Sequence, residues 1–95
     1  MFEHVDWSIR GAYMAQRHGI SPEIANDALA DAQRVVIEPD YNSKSGRTVR
    51  IIGFLILAGD VITVIALEDA GTEYGVNGWP ANEKDHRIYD EEGIT

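Results

Sequence analysis

The chain has no cysteine. That excludes disulfide stapling and thiolate chemistry, and makes a reducing cytoplasm the expected setting. Nor does it have a run approaching the ~20 apolar residues of a membrane span; its densest apolar stretch, Ile51 to Leu57, has the length of a strand. The opening Met1-Phe2-Glu3-His4 carries an acid and lacks the basic-then-apolar layout of a signal peptide, so no targeting segment is expected. Positive charge is scarce: 8 basic residues stand against 16 acidic ones, a net charge of −8. Affinity for nucleic acid comes largely from neutralised phosphates, so such a chain is repelled by RNA or DNA at long range unless its arginines cluster or a basic partner supplies the charge. The acidity is read either as an aid to solubility or as a face that docks a basic partner protein. No G-x-x-x-x-G-K-[ST], no G-x-S-x-G and no pair of histidines at helical spacing occurs. P-loop, serine-hydrolase and redox chemistry therefore have no support, and no cofactor or metal is expected.

What is present fits one domain spanning residues 1–95. A chain of 95 residues, 44% of them apolar, is ordinary for a globular protein. At this length folding buries roughly 60–70% of the unfolded surface, enough for one core. Asp6 to His18 reads as a first helix, with Ile9, Ala12 and Tyr13 recurring on one face. Gly19 follows where left-handed geometry is cheap. Ser21-Pro22-Glu23 is a start signal for a second helix: a capping hydroxyl, a proline suited to the first helical position and an acid at the positive end of the dipole. Its expected buried face is Ile24, Ala28, Leu29 and Ala32, two alanines of which imply close packing.

Arg34 to Glu38 reads as a short strand ended by Pro39, followed by a polar loop through Gly46. Arg47 to Leu57 and Val61 to Glu68 form the clearest hairpin, joined by Ala58-Gly59-Asp60. A last strand, Thr72 to Asn77, and a polar helix from about Asn82 to Glu91 complete an α+β fold: two N-terminal helices, a four-stranded, mainly antiparallel sheet with a central hairpin, and a short C-terminal helix. Gly53, in mid-strand, suggests a bulge or a close helix approach.

The hairpin is apolar front and back. Val49, Ile51, Leu55 and Leu57 lie on one face of its first strand and Ile52, Phe54 and Ile56 on the other; its second strand sets Val61, Ile65 and Leu67 against Ile62, Val64 and Ala66. The last helix offers only Ile88 and Tyr89 as large apolar side chains, so part of the second face is expected to be closed by another chain, a second copy or a partner.

A run near the N-terminus carries a resemblance. Trp7, then Arg17-His18-Gly19-Ile20-Ser21-Pro22-Glu23 at the helix junction, is similar to the K/R-H-G-V/I-S-x-E signature of BrnT-type toxins of type II toxin–antitoxin systems. Ile51-Ile52-Gly53 and the tail Gly78-Trp79-Pro80-Ala81, with Asp85, Arg87 and Tyr89 beyond it, follow the same order as the family's strand and its A-R-x-A…E-R-x-x-Y ending. The resemblance covers nearly the whole chain. It implies a RelE-like fold, ribonuclease activity that arrests translation, and neutralisation by a cognate antitoxin. Two positions depart from the pattern: the family's arginine falls on Trp79, and its E-R pair on Asp85-His86.

Cleavage at the RNA 2′-OH needs a base, an acid and a cation to hold the phosphate. If the chain cleaves RNA, the candidates are Arg47, Arg50 and Arg87 for phosphate charge, His18 or His86 for proton transfer, and Tyr89 as a supporting hydroxyl. Each has a plainer reading. His18 suits the negative end of its helix dipole, and the arginines can pair with nearby acids. Trp7 and Trp79 are read as core or interface anchors before base-stacking platforms.

Overall fold

A computed structural model describes residues 2–56 and 58–92. Its elements run α1 (Gly11–His18), α2 (Pro22–Leu29), β1 (Val35–Ile37), β2 (Val49–Leu55), β3 (Asp60–Asp69), β4 (Thr72–Pro80) and α3 (Glu83–Glu92). The four strands form an antiparallel meander in the order β1-β2-β3-β4. This is the expected α+β architecture. Among the described residues no helix is long and apolar enough to cross a membrane.

The helix boundaries follow from where the backbone groups go. The first helix begins at Gly11 rather than Asp6 because Asp6 belongs to the sheet: its amide donates to the Glu73 carbonyl at 2.8 Å, and its own carbonyl accepts from the Gly75 amide at 2.9 Å. Gly19, with φ of 71°, closes α1 and donates to the Ala15 carbonyl. The second helix starts as its sequence demands, Ser21 Oγ accepting from the Ile24 amide at 3.2 Å with Pro22 in the first turn.

The face that α1 buries is not the expected one. Trp7, Gly11 and Met14 point inward, whereas Ile9 is 73% and Tyr13 45% exposed. The spacing of Trp7, Gly11 and Met14 forms its own helical stripe. On α2 the buried residues are Ala25, Ala28 and Leu29; Ile24 is half-buried and Ala32 exposed.

The helices cover the first face of the sheet closely. Val49, Ile51 and Leu55 of β2 and Ile62, Val64 and Ala66 of β3 pack with Trp7, Met14, Ile20, Ala28 and Leu29. The close approach needs Gly53: a Cβ there would stand 2.1 Å from the Ala28 carbonyl oxygen. Gly53 stays in register opposite Ile62, so the close approach explains it; the ladder's irregularity falls at Ile65/Ala66.

Most of the second face is covered from within, and Ile56, assigned to the same face from the sequence, stays 82% exposed at its turn end. Val35, Ile52 and Val61 are buried there, with Ile37, Phe54, Ala81, Ile88 and Tyr89 packed against them. Leu57, assigned to the hairpin from its sequence, lies outside the described residues. The last helix covers the middle of this face despite its polarity because that middle is itself polar: Arg50 and Thr63 project from the strands, and α3 meets them with Asp85 rather than with an apolar side chain.

Candidate functional site

An arginine in the middle of a buried strand cannot remain unpaired, because an isolated charge out of water is far too costly. The fold supplies two counterions. Arg50 is 2% exposed. Its Nε donates to Asp40 Oδ1 at 2.7 Å, and its Nη1 donates to Asp85 Oδ2. Asp40 comes from the loop after β1, where its amide donates to the Thr48 carbonyl at 2.8 Å. Asp85 comes from the first turn of α3, where its amide is capped by Asn82 Oδ1 at 2.8 Å.

Asp85 is the hub and has no solvent exposure. Besides Arg50, its oxygens accept from Thr63 Oγ1 at 2.7 Å and from the Tyr41 hydroxyl. Burial raises the pKa of such a carboxyl, but the hydrogen bonds from Tyr41, Thr63 and Arg50 outweigh it and hold Asp85 below the ordinary carboxylate value. Burial lowers the Arg50 pKa, and the two aspartates more than reverse that. Tyr41 is pushed up by burial and by donating to Asp85. The guanidinium also lies over the rings of Tyr41, at 4.1 Å, and Trp79, at 5.7 Å, while Lys84 Nζ sits 3.9 Å from the Tyr41 ring.

A second polar tie holds the far end of α3. The Tyr89 hydroxyl donates to Asp31 Oδ2, which also accepts from the Phe54 amide at 2.8 Å. Burial and the Asp31 partnership push Tyr89 up to about 12. Burial works to raise Asp31, but the Tyr89 hydroxyl and the Gln33 and Phe54 amides bring it below its ordinary value.

The six residues singled out from the sequence do not converge. His18 packs its ring 5.7 Å from that of Trp79, and through that indole it neighbours Arg50. Arg47 is exposed at the opposite end of the hairpin from its turn, 3.3 Å from Asp69. His86 lies at the turn end, with Nε2 3.6 Å from Asp60. Tyr89 is committed to Asp31, and Arg87 is exposed on α3. Among the described residues no group of three or more histidines or carboxylates is arranged to hold a metal.

Asp40, Tyr41 and Thr63 were not legible as members of this cluster. The one signal was Arg50 itself, a charge flanked by Val49 and Ile51 in a strand otherwise apolar through Ile56. Such an arginine demands buried partners without naming them. No protein-family model matches the chain, and no curated protein matches it either.

Proposed function

We propose that this chain is a toxin-module domain of the BrnT type that acts by binding a partner protein, its cognate antitoxin, and leaves RNA uncut. The observation that carries the non-cleaving reading is the state of Arg50. An arginine that grips a phosphate must offer its N–H fork to the ligand. Here Nε and Nη1 are spent on Asp40 and Asp85, and the side chain is almost solvent-free. Two carboxylates neutralise the guanidinium and the Lys84 ammonium over the Tyr41 ring, so the cluster holds no excess positive charge for an RNA backbone. Trp79, at the position of the family's arginine, supplies no replacement. The partner-binding reading rests on the resemblance and on the net charge of −8, which suits a basic protein. A cysteine-free chain of this kind would work in a reducing cytoplasm.

Expressing the chain alone in bacterial cells, and incubating the purified protein with total RNA, is expected to leave both growth and RNA intact. Co-expression with the product of the adjacent reading frame is expected to give a stable complex by mass measurement. Rapid RNA breakdown that Arg50→Ala abolishes would overturn the non-cleaving reading. A chain that pairs only with itself would replace the antitoxin with a homodimer.

One observation favours RNA cleavage as a second reading. His18, Trp79, Arg50 and Tyr41 form a continuous line of imidazole, indole, guanidinium and phenol, groups that can move a proton, stack a base and hold a phosphate. This reading requires Asp85 to release Arg50, and it expects His18→Ala to abolish cleavage.

A further inference from the structure

A cleft of about 650 Å³ opens between the C-terminal end of α2 and the turn end of β2. Phe54, Leu55 and Ile56 form its apolar side, Ala30 and Ala32 leave it open, and Asp27 stands at its edge. Ile56 is 82% exposed, so a large aliphatic side chain faces water at this rim. Asp27 and Asp31 both line the cleft, and no basic side chain does so among the described residues. The Tyr89–Asp31 bond draws the last turn of α3 toward the same place, and Asp90, Glu91 and Glu92 follow Tyr89 directly. Arg34, close by, is turned to Glu3 at 2.9 Å and to the Asp31 carbonyl.

Taking the partner-binding reading as its premise, we infer that this cleft is the docking groove for a basic amphipathic segment of the partner. An aliphatic or aromatic side chain of that segment rests on Phe54 and Ile56, and a neighbouring lysine or arginine faces Asp27. Two features select this occupant. An apolar floor rewards removal of side chains from water, and a rim of one sign, in a chain of net charge −8, draws cations and repels acids. A second copy of this chain would bring its own negative charge to a negative rim. The exposed Ile9, just before α1, and Tyr13 of α1 form a different surface, beside Arg10 and Arg17, whose charge suits an acidic ligand.

The test uses a short helical peptide patterned with lysine and leucine, and a matched peptide patterned with glutamate and leucine, titrated into the isotope-labelled chain by NMR. The lysine peptide is expected to shift amides of Asp27 to Gln33 and Phe54 to Ile56. Ile56→Gln and Asp27→Lys, both exposed positions, should each weaken it by about tenfold. Shifts centred on Ile9 and Tyr13, equal binding of the glutamate peptide, or no binding at all would overturn the inference. The complex with the adjacent reading frame's product separates the two levels of the argument. A complex that survives both substitutions leaves the partner reading standing and removes this groove, whereas no complex with the unsubstituted chain removes the partner reading itself.

Discussion

Asp85 of α3 and Arg50 of β2 meet at the centre of the sheet's second face, carboxylate on guanidinium, with neither side chain appreciably in contact with water. This contact joins the last helix to the hairpin, and through Asp40 and Tyr41 it also draws in the loop between β1 and β2. A polar helix with few apolar side chains is thereby held over a face that would otherwise need an apolar lid.

Removing one member of a buried pair leaves the other charged and unsatisfied, and such losses run at about 3–5 kcal/mol. Asp85→Ala is expected to destabilise the chain on that scale in urea unfolding. A loss of only a few tenths would mean that the pair contributes little to holding α3.

Stability should fall at both ends of the pH range, for opposite reasons. Asp85 and Asp31 have folded pKa values depressed below the ordinary 3.8, so their contribution is present above that value and is lost as pH falls through the depressed ones. Tyr89 is raised from 10.0 to about 12, so its contribution is full below 10.0 and is lost as pH rises toward 12. Unfolding followed by circular dichroism across pH should show the alkaline limb reduced in Tyr89→Phe. An unchanged limb would remove the Tyr89–Asp31 bond as its cause.

Gly53→Ala would place a methyl group 2.1 Å from the Ala28 carbonyl oxygen, which belongs to backbone and cannot swing aside. The cost is expected to match or exceed the about 1–3 kcal/mol of core overpacking, visible as a lowered midpoint in thermal melting. A parent-like melt would show that α2 does not sit this close to β2.

Ser21→Ala removes the acceptor for the Ile24 amide at the start of α2. About 1 kcal/mol is the expected loss, measured by urea unfolding. Ser21→Asp, which restores an acceptor at that position, should recover most of it.

Much of the local structure was legible because its causes are local. Ser21-Pro22 marks a helix start from its own chemistry, Gly19 marks a helix end, and the β-branched hairpin shows its strands by residue type. The misreadings came where distant residues competed for the same groups. Asp6 looked helical until β4 took its amide and carbonyl. Ile9 and Tyr13 lost the inward position to Trp7 and Met14, residues one or two positions away that point to another side.

The sequence by itself determined the order and kind of the elements, the two-sided apolar hairpin and the acidic balance, because these depend on residue types and short spacings. Only the tertiary structure decided that α3 covers the middle of the hairpin's second face and that Arg50 is held by Asp40 and Asp85. The physical reason is separation: the partners lie 10 and 35 residues from Arg50 along the chain. Which carboxylate a buried guanidinium finds is set by how the loop and the last helix pack over the sheet.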